Sequence, residues 1–61
     1  MNLETVIEDI DGAVAQDDPL RPCFEFTARS WRYAAPPLDT YAGNVLVRIA
    51  ASVGVLPKDA E

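Results

Sequence analysis

Residues 38–54 read LDTYAGNVLVRIAASVG, and this stretch decides the fold class. Its apolar residues recur at spacings of three and four, which is the period of one face of an α-helix. We expect Asp39 to cap the N-terminus of this helix and Gly54 to end it in the left-handed conformation. Asn44 and Arg48 are expected to face away from the apolar stripe. That stripe comprises Leu38, Tyr41, Ala42, Val45, Leu46, Ile49 and Val53.

A second helical pattern lies near the N-terminus of the chain. Asn2 is a favourable N-cap, because its side chain can accept a hydrogen bond from an amide of the first turn. The helix is expected to end between Gly12 and Gln16, before an Asp-Asp-Pro sequence at 17–19. Its apolar face comprises Leu3, Val6, Ile7, Ile10 and Val14.

Residues 22–35 permit two interpretations. The aromatic side chains favour a strand, and residues 24–27 alternate between apolar and polar as a strand would. The alternation then fails, because Trp31 and Tyr33 fall on the face opposite Phe24. On a helical wheel the charged residues gather on one side, which favours a helix that the two prolines at 36 and 37 would end. These charged residues are Arg21, Glu25, Arg29 and Arg32, of which Glu25 and Arg29 are spaced for an ion pair.

The chain has 61 residues, which is enough for one small domain. We predict an all-α architecture of three helices over residues 1–57, with corners marked by proline and a strand in segment 22–35 as the alternative. Residues 58–61 are expected to form a frayed tail. A domain of this size without a disulfide or metal staple commonly gains stability from a partner or from copies of itself. We therefore expect a larger protein partner or self-association.

Charge is distributed unevenly along the chain, whose formal net charge is -5. Residues 1–20 hold six acidic residues and no basic one, whereas residues 21–48 hold four arginines and two acidic residues. Two interpretations stay open. The charges neutralise one another across packed helices, or they form a bipolar surface that orients the protein on a partner.

The composition excludes several kinds of chemistry. Histidine is absent and Cys23 is the single cysteine, so a nucleophile would lack its usual base and no internal disulfide can form. Cys23 is expected to be a small buried side chain. Residues 9–12, DIDG, resemble part of a calcium loop, but Ile7 would stand where the first carboxylate ligand is required. We expect no enzyme activity, no metal and no cofactor.

Cysteine content, N-terminal charge and hydropathy bear on the subcellular location of the protein. One unpaired cysteine fits a reducing compartment, and the four acidic residues in 1–15 do not suit a signal peptide. The longest apolar run, residues 45–55, is interrupted by Arg48 and is too short to span a bilayer. We expect a soluble intracellular protein of the cytoplasm, or part of an assembly formed there, without membrane contact.

Residues 46–57 read LVRIAASVGVLP, which resembles the closing helix of small helix-turn-helix repressors. The pair of short helices and the tight glycine turn that precede this helix in that family are missing upstream. The resemblance therefore implies no site residues for this chain.

The residues expected to contact a partner are aromatic and arginine side chains, since these dominate interface energetics. We predict a non-catalytic protein–protein interaction module that docks onto a larger protein or assembly, as an accessory structural component of a virion or similar particle, an adaptor or an inhibitor. The alternative is a nucleic-acid-linked regulator, either a degenerate helix-turn-helix protein or an acidic mimic of DNA. Direct nucleic-acid contact is disfavoured by the net negative charge. The candidate partner-binding residues are Phe24, Phe26, Arg29, Trp31, Arg32, Tyr33 and Tyr41.

Overall fold

A computed structural model describes residues 2–57 of the chain. It contains three α-helices: α1 spans Leu3–Ala13, α2 spans Arg21–Tyr33 and α3 spans Leu38–Ser52. No strand occurs within this described range, so the predicted all-α class is confirmed and the middle segment is a helix, not a strand. The predicted tail, 58–61, lies outside the described residues.

The limits of α1 follow from local chemistry. The side-chain oxygen of Asn2 accepts a hydrogen bond from the amide of Glu4 at 3.0 Å, which confirms Asn2 as the N-cap. The negative charge of Glu4 in the first turn is favourable near the positive end of the helix dipole. The helix ends at Ala13, within the predicted interval, and the amide of Val14 donates to the carbonyl of Ile10 at 2.9 Å.

The start of α2 is set by a turn and a proline. The carboxylate of Asp18 accepts a hydrogen bond from the amide of Leu20 at 2.8 Å, which closes the turn before the helix. Pro22 then lies in the first turn of α2, where the missing amide hydrogen leaves no helical bond unmade. Leu20 is the N-cap residue, and its side chain makes no capping bond.

The N-terminus of α3 corrects the prediction that Asp39 is its N-cap. The helix begins two residues earlier than that cap requires, at Leu38, and Pro37 is the N-cap. The reason is that the carbonyl of Pro37 accepts hydrogen bonds from the amides of Thr40 and Tyr41, each at 3.1 Å. Asp39 consequently lies inside the first turn, and its Oδ1 is buried without a hydrogen-bond partner among the described residues.

The C-terminus of α3 is a Schellman motif built around Gly54, whose φ of 84° confirms the predicted left-handed conformation. The amide of Gly54 donates to the carbonyl of Ala51 at 3.3 Å, and the amide of Val55 donates to the carbonyl of Ala50 at 2.8 Å. These bonds satisfy carbonyls that a helix end would otherwise leave unpaired.

The core lies where α3 packs against both other helices. Ile10 of α1 and Leu46 of α3 are its largest fully buried side chains. The three helices approach closely at Gly43, where a Cβ atom would lie 3.1 Å from Cδ1 of Leu3 and 3.5 Å from Cδ1 of Trp31. The other buried apolar residues are Val6, Ile7, Val14, Phe24, Ala28, Ala42, Ile49, Ala50 and Ala51.

Leu46→Ala is expected to destabilise the domain by about 2–5 kcal/mol, because it leaves a cavity at the centre of the core. A domain of this size holds roughly 3–5 kcal/mol of stability, so the variant is expected to lose half of its stability or more. Circular dichroism during urea titration at low protein concentration measures the difference. Leu38→Ala removes the same atoms from the same helix, but Leu38 is 64% exposed, so its loss should stay below about 1 kcal/mol. Equal losses in the two variants would contradict this placement of α3.

Candidate functional site

An uncharged groove runs between α2 and α3, and we call it the α2/α3 groove. Its volume is about 320 Å³, and none of its lining residues carries a charge. Three large apolar side chains stand exposed along its rim: Phe26 is 68% exposed, Leu38 is 64% exposed and Tyr41 is 71% exposed. The full lining consists of Phe26, Thr27, Ser30, Ala34, Leu38, Tyr41, Ala42 and Val45.

The α2 side of this groove follows from the helical period. Residues two apart lie about 160° from one another around a helix, so Phe24 and Phe26 project to nearly opposite sides of α2. Phe24 is 3% exposed in the core, and Phe26 consequently borders the groove. Thr27 is buried in the lining, where its hydroxyl donates to the carbonyl of Cys23 at 2.7 Å. The hydrogen-bonding need of that hydroxyl is therefore met within α2.

The α3 side of the groove is a ridge formed by Leu38, Tyr41 and Val45. The predicted stripe of α3 is therefore divided in the structure: these three line the groove, whereas Leu46 and Ile49 enter the core. Asn44 and Arg48 are exposed, as predicted.

The sequence carries a signal for this division. Apolar positions of α3 extend from Tyr41 round to Val47, an arc of about 240° at 100° per residue, interrupted only by Asp39 and Ser52. A surface helix that packs on one side needs an apolar arc of roughly 100° or more, and a helix that is apolar nearly all round is typically covered on several sides. The width of the arc, and not its position, predicts a second apolar surface on α3.

The structure separates the seven predicted partner-binding residues. Phe26 and Tyr41 come together at the α2/α3 groove. Phe24 lies in the core, and Trp31 is partly buried against it. Sequence reasoning did not single out Leu38 and Val45 as groove residues. The remaining three predicted residues line a second groove, between α1 and α2: Arg29, Arg32 and Tyr33.

Arg21 holds the first turn of α2 to the last turn of α1. It is buried, at 7% exposure, although the helical wheel places it with the exposed charges. Its guanidinium donates to the carbonyls of Asp11 at 3.2 Å and Val14 at 3.0 Å, and to the carboxylates of Asp11 and Glu25. It also lies over the ring of Phe24, 5.4 Å from the centroid. Because the last turn of α1 has no basic residue of its own, Arg21 supplies the cation that this helix end favours.

The carboxylates around Arg21 also act on its protonation. The hydrogen bond to Asp11, followed by the one to Glu25, raises the pKa of Arg21 above its ordinary value, against the opposing effect of burial. The guanidinium therefore stays charged in the folded domain, as arginine does generally.

The Glu25 pairing corrects a prediction. Glu25 accepts a hydrogen bond from Nε of Arg21 at 2.9 Å, instead of pairing with Arg29. The bonds to α1 already fix the Arg21 side chain, so Glu25 meets an oriented donor, whereas pairing with Arg29 would order another flexible side chain. Arg29 is exposed and makes no ion pair within residues 2–57.

A second ion pair joins the other ends of the same two helices. Nε and Nη2 of Arg32 donate to the two carboxylate oxygens of Glu4 at 3.1 and 3.0 Å. The hydrogen bonds lower the pKa of Glu4 and raise that of Arg32. Since one pair joins the end of α1 to the start of α2 and the other joins the reverse ends, the two helices run antiparallel. The acidic charge of α1 and the basic charge of α2 are therefore partly neutralised by these ion pairs.

Cys23 is exposed, so the prediction that it is buried is wrong. It lies about 100° around α2 from Phe24 and outside the arc that faces the core. Among the described residues, no three histidine, cysteine or acidic side chains are grouped closely enough to hold a metal ion. Within the same part of the chain, no helix has the length and apolar content needed to cross a membrane.

Comparison with known proteins gives no relative from which a function could be transferred. No protein-family model matches the chain, and neither a curated protein nor a solved structure shows significant similarity to it.

Arg21→Met is expected to lower the Tm by roughly 5–10 °C, since it removes hydrogen bonds that join α1 to α2 in a small domain. Arg21→Lys should fall between this variant and the wild type, because an ammonium group keeps the charge but lacks the planar fork. Arg29→Met is the matched control on the same helix and should leave the Tm unchanged within about a degree. Thermal melts followed by circular dichroism provide the comparison, and a similar loss in Arg29→Met would refute the assigned role of Arg21.

The Glu4–Arg32 pair makes stability depend on pH in the acid range. Folding lowers the pKa of Glu4 from about 4.5, so the pair stabilises the fold above that pH and its contribution is lost as the pH falls through the lower folded value. The Tm of Glu4→Gln should therefore decrease less steeply with acid than that of the wild type. Both side chains are half-exposed, so a difference of about a degree or two is expected. Asp9→Asn, an exposed site outside the ion pairs, should keep the wild-type slope; a slope in Glu4→Gln equal to wild type would contradict the assignment.

Proposed function

We propose that this chain is a non-catalytic protein–protein interaction module, which docks onto another chain of a larger protein or assembly through the α2/α3 groove. One observation carries the proposal: an uncharged groove with three large apolar side chains exposed along its rim, Phe26, Leu38 and Tyr41. Single exposed apolar side chains are ordinary on protein surfaces, whereas a group of them around one groove is typical of a binding surface.

The energy available at the rim indicates the size of the partner. Fully burying a large apolar side chain contributes about 1.5–3 kcal/mol, and because the three rim residues are each about two-thirds exposed, covering them contributes roughly 3–6 kcal/mol in total. Loss of translational and rotational freedom on association opposes this by about 4–15 kcal/mol. The rim alone is therefore insufficient for stable binding, and a partner must also cover the surface around it. A protein surface meets that requirement better than a small molecule.

The chemistry of the groove supports a role without catalysis. Tyr41 is the single ionisable side chain among its lining residues. The chain has no histidine, and Cys23 is therefore without an imidazole base. Glu4, Arg21 and Arg32, whose pKa values are shifted from their ordinary values, all take part in the ion pairs that join α1 to α2. Their shifts have a structural origin, in contrast to those of groups tuned for proton transfer.

The alternative of a nucleic-acid-linked regulator receives less support from this geometry. Arg21 and Arg32 already bond to carboxylates of α1, so their charges are engaged within the chain. Glu8, Asp11 and Glu25 line the same groove as these arginines, where a phosphate backbone would meet like charge. We therefore propose no second function.

Site-specific photo-crosslinking in the native cells tests the docking surface. A benzophenone amino acid in place of Tyr41 should crosslink to another protein chain, and the same group in place of Thr5, an exposed residue of α1, should not. Phe26→Ser in the Tyr41 probe should reduce the crosslinked product about tenfold, since it removes a rim side chain without opening the core. Equal crosslinking from positions 5 and 41, or none from position 41, would overturn the proposed function.

A further inference from the structure

We propose that the chain which fills the α2/α3 groove is a second copy of this protein, related to the first by a two-fold axis. The two α2–α3 pairs would then face each other as four packed helices, with both α1 helices on the outside. This inference depends on the proposed function, because it names the partner of the same groove.

The exposed apolar area of the groove is large enough for the centre of a dimer interface. A stable interface covers about 800 Å² on each partner, which is roughly a fifth of the 4125 Å² accessible surface of this chain. Large side chains bury about 150–250 Å² each, so Phe26, Leu38 and Tyr41, each about two-thirds exposed, supply roughly 300–500 Å² of apolar area. This apolar centre supplies about half of the area that a stable interface requires, and the surface around the groove would supply the rest.

The shape of the α2/α3 groove suits a two-fold interface. A two-fold interface brings the same patch of both copies together, so the patch must carry projections as well as a recess. The α2/α3 groove does: Phe26 projects from α2 on one side, and Leu38 and Tyr41 project from α3 on the other. Across a two-fold axis, the rim side chains of each copy can enter the groove of its partner. The apolar arc of about 240° on α3 then serves two packed faces, one inside the chain and one between copies.

The distribution of charge also favours contact between the grooves of two copies. Acidic side chains line other surfaces of the domain. The groove between α1 and α2 is lined by Glu8, Asp11 and Glu25. Asp17 and Asp18 lie beside the turn before α2, and Asp39 lines the side of α3 next to Leu3. Two chains of formal charge -5 repel one another at a distance, but the groove surfaces meet without placing carboxylates opposite each other. Added salt screens the long-range repulsion, so the dimer should become tighter, or stay equal, as salt increases.

Sedimentation velocity with the purified full chain tests this inference, at total concentrations from about 5 to 500 µM. We expect a reversible dimer. Tyr41→Ser should raise its dissociation constant about tenfold or more, because the hydroxymethyl group cannot fill the partner groove. Tyr33→Ser is the matched control: Tyr33 is 83% exposed on α2 but lines the α1/α2 groove, so this change should leave the dissociation constant within about twofold.

A second variant, with circular dichroism, distinguishes loss of the interface from loss of the fold. Leu38→Ser changes a different rim residue and should weaken the dimer by a similar factor, while circular dichroism confirms that the helical content of each variant is retained. Raising sodium chloride from about 50 to 500 mM should not weaken the wild-type dimer. A dimer that salt weakens more than about tenfold would be held by charge pairs, and this would overturn the proposal.

Two further results separate this inference from the proposed function. If the wild-type chain is a monomer throughout the concentration range while the probe at Tyr41 crosslinks to a different protein, the second copy is the wrong occupant and the docking function stands. If the chain is a monomer and the probe at Tyr41 gives no product, both proposals fail. A dimer unaffected by both Tyr41→Ser and Leu38→Ser also overturns the inference, because it must form through another surface.

Discussion

The guanidinium of Arg21 is the interaction on which the arrangement of α1 and α2 depends. These two helices have little direct backbone contact, and α3 packs against both of them. Arg21 bridges the remaining gap by donating to two carbonyls of the α1 terminus and to two carboxylates. A buried guanidinium needs this full set of acceptors, because an unpaired donor in a desolvated position is costly. Together with the Glu4–Arg32 pair and the packing of α1 on α3, this set of bonds holds α1 on one side of the α2–α3 pair, and the other side is left uncovered.

Because that side is uncovered, a small chain can have both a core and an exposed apolar groove. α3 is apolar over most of its circumference, so it contributes to the core through residues such as Leu46 and to the groove through residues such as Tyr41. Two arginines of α2 pair with carboxylates of α1, Arg21 with Asp11 and Arg32 with Glu4. Separation of charge from apolar surface is therefore a result of how the three helices pack, and it leaves the groove free of charged side chains.

Helix positions could be predicted from the sequence because their causes are local. The side chain of Asn2 and the φ of Gly54 act within one turn of the backbone. The candidate site could be predicted only in part. Phe24 and Phe26 have the same chemistry, and the rotation of α2 relative to the core decides which one is exposed. The burial of Arg21 depends on carbonyls ten and seven residues earlier that are brought to it by the turn between helices. Hydrophobic periodicity along the sequence does not report such tertiary contacts.

The close packing at Gly43 restricts how this fold can vary in evolution. A Cβ atom there would stand within 3.5 Å of Trp31 and nearer still to Leu3, so the volumes at these three positions are linked. A Cβ at position 43 requires Cδ1 of Leu3 to shift by a few tenths of an ångström, and a longer side chain there would also displace Trp31 unless residue 3 or residue 31 were smaller. In any set of related sequences, positions 3, 31 and 43 should therefore change together, although they are far apart along the chain.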